Sequence, residues 1–86
     1  MKVLMLYHPQ SDHARAVEEF ARDFKVLKTK NLDLFSLETK EGSALAKLYD
    51  IVQYPAILVV QESDELVKDW QGMPLPLMDE VIGYSG

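Results

Sequence analysis

The sequence predicts an α/β fold in the order β-α-β-α-β-β-α, with a four-stranded mixed sheet and helices on both faces. Three observations predict it. Val3 to Tyr7 and Ala56 to Val60 are continuous apolar runs too short for helices, and they suit strands buried on both faces. Ser11 to Lys25 carries apolar residues at three- and four-residue spacing. Leu66 to Gln71 alternates in the manner of an antiparallel partner.

Each element has its own justification. His8-Pro9-Gln10 ends the first strand, because Pro9 has no amide hydrogen to give a central ladder. Ser11 or Asp12 is expected to cap the first helix, with an oxygen accepting from its free amides. His13, Val17, Phe20 and Phe24 mark its inner face, with Ala14, Ala16 and Ala21 beside them; Arg15, Glu18, Glu19, Arg22 and Asp23 mark the outer one. Lys28 to Asn31 is a polar connection, and Leu32 to Leu37 alternates as a second strand. Glu38 to Gly42 reads as a loop. Ser43 is then expected to cap a short helix with Ala44, Leu45, Leu48 and Tyr49 inward.

Val52-Gln53-Tyr54-Pro55 leads into the strand Ala56 to Val60. Glu62 to Glu65 is a polar turn, which makes the next strand the second arm of a hairpin. Gly72 closes that strand. Pro74 or Pro76 opens a last helix, since proline suits a first helical turn. Leu77, Met78, Val81 and Ile82 are expected to form its buried face. A strand, helix, strand unit implies a parallel pair with a right-handed crossover.

Composition narrows the function. The chain has 86 residues, which fits one domain over 1–86 and leaves no room for a second core. Hydrophobic residues make up 48% and charged residues 27%, a globular balance. Net charge is −5, so phosphate-backbone binding to nucleic acid is not expected. Lys25, Lys28 and Lys30 read as a solvated cluster. No apolar run approaches the roughly 20 residues that span a bilayer. A cytoplasmic location and no membrane partner are therefore expected.

There is no cysteine. The chain consequently has no thiol nucleophile, disulfide framework or thiolate zinc site. Ser11, Asp12 and His13 include hydrolase residue types, but neighbours at a helix start diverge and cannot form a triad. His8, Asp12 and His13 are too unspecific a set to predict a metal. No catalytic residue, metal or cofactor is assigned. The four glycines, Gly42, Gly72, Gly83 and Gly86, are isolated, so no phosphate-binding glycine loop exists.

The segment from Leu45 to Val60, Leu-Ala-Lys-Leu-Tyr-Asp-Ile-Val-Gln-Tyr-Pro-Ala-Ile-Leu-Val-Val, resembles the corresponding run of thioredoxins. It has a short helix ending in an aromatic residue, then an apolar-proline pair and an apolar strand. Asp64 to Gly72 resembles their terminal hairpin and its closing glycine. The similarity extends over nearly the whole chain, in the compact form of glutaredoxins. It implies a cis bond at Tyr54–Pro55. The departure is at the first helix, where the family carries Cys-x-x-Cys and this chain has Ser11-Asp12-His13-Ala14. Disulfide exchange needs sulfur on the attacking group, so dithiol redox chemistry by these side chains is excluded.

The resemblance also implies a face that binds an extended peptide beside the proline by pairing of main chains. Here it comprises Tyr7, His8, Pro9, Gln10, Ser11 and His13, then Gln53, Tyr54 and Pro55, then Gly72, Met73 and Pro74. The expected function is a redox-inactive module binding a protein or peptide segment. Glutathione is the alternative ligand, although no clear Lys or Arg clamp for both its carboxylates appears in those loops. A third reading is a regulator similar to the cyanobacterial KaiB family, whose beginning is also thioredoxin-like and free of cysteine.

Overall fold

The computed structural model describes residues 1–28 and 30–85. Thr29 of the expected polar connection and the last glycine, Gly86, lie outside the described residues. The elements are β1 (Lys2–Tyr7), α1 (Ala14–Lys28), β2 (Asp33–Ser36), α2 (Lys40–Leu48), β3 (Ala56–Val60), β4 (Leu66–Gln71) and α3 (Met78–Ser85). The sheet order is β2-β1-β3-β4. β1 runs parallel to β2 and antiparallel to β3, and β3 pairs antiparallel with β4. The expected mixed sheet is therefore present.

Strand alternation builds two cores. Val3, Met5, Tyr7, Ile57 and Val59 face one side, against Val17, Phe20, Ala21 and Phe24 of α1 and Val81 of α3. Leu4, Leu6, Ala56, Leu58 and Val60 face the other, against Ala46 of α2 and the buried Ile51. Successive side chains of a strand point to opposite faces, so a run apolar at every position requires cover on both.

β3 and β4 have the bounds expected from sequence, with one irregularity of register between Val59 and Val60. The helices differ in their starts. α1 begins at Ala14 and runs to Lys28, rather than from Ser11 to Lys25. The Ser11 hydroxyl donates to the His8 carbonyl at 2.6 Å instead of accepting from the first helical turn. The His13 carbonyl receives the Val17 amide at 3.1 Å.

α2 is capped by Thr39, not Ser43. The Thr39 hydroxyl accepts the Gly42 amide at 3.0 Å, and Lys40 to Gly42 belong to the helix. Gly42 is buried, and a Cβ there would stand 2.1 Å from the Ser36 carbonyl oxygen. The glycine thus permits close approach of α2 to the end of β2, which sequence reading took as a loop signal. Leu48 points outward at 66% exposure, because Leu45 and Ala46 already fill the inner side.

α3 starts at Met78, after both prolines. Leu77 is 71% exposed rather than inward. It caps instead: its carbonyl receives the Glu80 and Val81 amides, and its own amide donates to Glu80 Oε1 at 3.2 Å. No helix among the described residues is long and apolar enough to cross a membrane.

Candidate functional site

Three loops meet at one end of the sheet: residues 8–13 after β1, residues 49–55 before β3, and residues 72–77 after β4. The first is folded on itself. Ser11 donates to the His8 carbonyl through both its amide (3.1 Å) and its hydroxyl (2.6 Å). The His8 amide donates to His13 Nε2 at 3.3 Å. That bond requires an unprotonated Nε2, so the neutral His13 ring carries its proton on Nδ1. Partial burial lowers the His13 pKa below its ordinary value, and the neighbouring His8 charge adds to the effect while Asp12 opposes it.

The first and second loops touch through aromatic rings. His8 stands edge-on to Tyr54, with ring centroids 5.2 Å apart. Tyr54 is half-buried against the α2-side core, and its hydroxyl donates to the Ile51 carbonyl at 2.8 Å. The ring is fixed by packing and by that bond together.

The second loop is anchored to the end of β4 at two points. Gln71 Oε1 accepts the amides of Val52 (2.9 Å) and Gln53 (3.1 Å). The Gly72 amide donates to the Pro55 carbonyl at 2.8 Å. Gly72 has φ +82°, a conformation that glycine adopts without steric penalty. The Tyr54–Pro55 and Met73–Pro74 peptide bonds are both cis. Between these anchors, neither the amide nor the carbonyl of Tyr54 has a hydrogen-bond partner among the described residues.

Beside Tyr54 lies a trough of about 440 Å³, lined by His8, Leu37, Ala46, Lys47, Ile51 and Tyr54 among others. It continues along α2 into a second hollow, since Leu37, Ser43 and Lys47 line both. Its floor is apolar. Lys40 and Lys47 stand at its margin with Glu38 and Asp50, so its charge is balanced.

The residues expected from sequence divide into three groups. His8, His13, Ser11, Tyr54, Gln53 and Gly72 are joined by the contacts above. Tyr7 and Pro55 are buried and offer little side-chain surface. Tyr7 faces α1, where its hydroxyl donates to Glu18 at 3.2 Å; burial first, and then that bond, raise its pKa. Pro9 is half-buried, and Gln10, Met73 and Pro74 are exposed, Met73 at 56%; none of the four lines the trough beside Tyr54. No group of three or more His, Asp or Glu able to hold a metal occurs among the described residues.

Sequence reading missed Gln71, Asp69 and the trough walls. Gln71 and Asp69 are two apart on β4 and so share a face, and Gln71 stands next to the closing glycine. That spacing was the available signal. The trough forms from residues of three separate segments, and no local pattern announces it.

The same arrangement of sheet and helices occurs in thioredoxin 1 from the thermophilic eubacterium Thermosipho africanus TCF52B. The two structures superpose with a TM-score of 0.69 at 11% sequence identity, over 98% of this chain and 89% of that one. The fold is thioredoxin-like. No family model and no curated protein matches the chain. Thioredoxin-like here describes architecture, and without cysteine that architecture carries no dithiol chemistry of its own.

Proposed function

We propose that this chain is a redox-inactive, thioredoxin-like module that binds an extended peptide segment of a partner protein at the Pro55 face. One observation carries the reading: Tyr54 presents an unpartnered amide and carbonyl between neighbours that are held in place. Main-chain polar groups need a partner, and water or a ligand must supply it here. In an antiparallel pair, one residue can exchange both hydrogen bonds with the residue opposite. A single ligand residue thus satisfies Tyr54 by strand addition.

The side chain of that ligand residue lies on the same face as the Tyr54 ring, because directly opposed residues share a face. The Tyr54 ring lines the trough, and so the opposed ligand residue projects over its apolar floor. The preferred peptide has a bulky apolar residue at that position. His8 flanks it with an aromatic ring, and exposed Met73 follows Gly72, whose amide is bonded to the Pro55 carbonyl. Glutathione is the second reading, favoured by one observation: Lys47 lines the trough beside Tyr54 and offers a cation to a carboxylate.

The test is titration of the isotope-labelled protein with a library of extended peptides, and separately with glutathione, followed by amide shifts. Support is a set of shifts centred on Tyr54, Gln53 and His8, strongest for peptides with a bulky apolar residue. Shifts confined to β2 or to the outer face of α1 overturn the reading. Pro55→Ala is the control, with near-ultraviolet signals from Trp70 reporting an intact fold; binding insensitive to it places the interface elsewhere.

A further inference from the structure

We propose that Asp69 and Gln71 form a positioning pair that presents the Tyr54 main chain to its ligand, an inference that rests on the peptide-binding reading above. Both side chains leave β4 on the α2 side of the sheet, since their partners across the ladder, Leu58 and Ala56, belong to that core. Gln71 Nε2 donates to Asp69 Oδ2 at 2.7 Å, and Gln71 Oε1 accepts from Val52 and Gln53 at 2.9 and 3.1 Å.

The orientation of the Gln71 amide is determined from both ends. An ionised carboxylate only accepts, so it selects the NH₂ group. Backbone amides only donate, so they select the oxygen. Reversing the amide would set two acceptors against each other at Asp69 and two donors against each other at the loop. The pair therefore acts as a one-way bridge from a regular strand to the loop before Pro55.

Its consequence falls on Tyr54. The bridge fixes the two residues on one side of Tyr54, and the Gly72–Pro55 bond fixes the residue on the other. Loop residues free to move must be ordered when a ligand pairs with them, at a cost in affinity. Here Asp69 and Gln71 complete that ordering in the unbound protein. Neither side chain needs to touch the ligand.

The experiment measures peptide Kd and the hydrogen-exchange protection of the Val52 and Gln53 amides in four proteins. Gln71→Ala removes the acceptor, and Gln71→Glu places a second carboxylate against Asp69. Each is expected to weaken binding about tenfold, the effect of one poorly ordered residue, and to lower protection of both amides. The double variant Asp69→Asn with Gln71→Glu reverses donor and acceptor while keeping the wild-type net charge. It is expected to restore Kd to within about threefold and to restore protection, which a loss of general stability would not predict. Gln71→Ala keeps the test available if Gln71→Glu alone fails to fold. Wild-type binding that survives Gln71→Ala, or a double variant that fails to recover, overturns the positioning role and leaves the peptide-binding reading intact. Absence of peptide binding by the wild type overturns that reading and this one with it.

Discussion

The two faces of the sheet are built from the same strands and end up unlike each other. On one, α1 and α3 together cover Val3, Met5, Ile57 and Val59, and Phe24, Val17 and Val81 seal the layer. On the other, the nine-residue α2 stands over Leu4, Leu6 and Ala56, with half-buried Phe35, Leu37, Tyr49 and Tyr54 filling the remainder. The first face is covered by two helices. The second leaves a trough next to Tyr54. Under the proposed peptide-binding reading, the difference assigns stability and recognition to opposite sides of one sheet. In that reading the two-helix side is the support, and the side covered by the short α2 holds the hollow proposed for the ligand.

The largest loss of stability is expected from the face covered by two helices. Phe24→Ala is expected to cost about 3–5 kcal/mol, read from urea unfolding, because it empties a fully buried aromatic site. A chain of this size has little stability to spare, so the variant is expected to be largely unfolded at 37 °C. A cost below that of trough substitutions would reverse the comparison. Gly42→Ala comes next, at about 1–3 kcal/mol, since its methyl group meets the Ser36 carbonyl and α2 must move away from β2. Its thermal midpoint should fall, and peptide affinity should change with it as the trough wall shifts.

Leu37→Ala sharpens the contrast. Leu37 is half-buried and lines the trough, so about 1–2 kcal/mol of stability is expected to be lost, less than for Phe24. Peptide binding should suffer more than folding. If binding is unchanged, the trough is not where the ligand side chain goes.

Two titrations give the smallest effects. His13 has a folded pKa below its ordinary 6.5, so the folded protein favours the neutral ring. Its contribution is fully present above pH 6.5. It is lost as pH falls through 6.5 and then through the lower folded value, because the unfolded chain takes up the proton first. The urea midpoint should therefore drop on acidification in wild type, with a smaller drop in His13→Gln, and the His13 ring signals should titrate below 6.5. Tyr7 behaves in the opposite range. Its folded pKa lies above 10.0, so its contribution holds below pH 10 and fades as pH rises through the folded value. Ultraviolet titration should show Tyr7 ionising above pH 10.0, a phase absent from Tyr7→Phe. Tyr7→Phe, which deletes only the bond to Glu18, should cost about 1 kcal/mol or less.

Much of the architecture was legible in the sequence, and the exceptions have a common character. β3 and β4 were read to the residue because an apolar run and a strict alternation are local patterns. The helix starts were not, because Ser11, Ser43 and Thr39 are all competent caps and their competition is settled by what else lies within reach. Ser11 finds the His8 carbonyl, and Thr39 finds the Gly42 amide. Gly42 and Leu77 mislead for a similar reason. A glycine needed for close approach looks like a loop, and an exposed leucine at a cap looks like core.

The candidate site divides along the same line. The amino-acid sequence by itself determined the strand and helix order, the two-sided apolar strands, the proline before β3 and the exclusion of thiol chemistry. These follow from periodicity, from residue geometry and from the absence of an atom type. Only the tertiary structure decided that His8 meets Tyr54, that Asp69 and Gln71 reach the loop before Pro55, and that a hollow forms beside Tyr54. Those contacts join residues far apart in the chain, and their geometry is fixed by packing of the whole sheet rather than by any local preference.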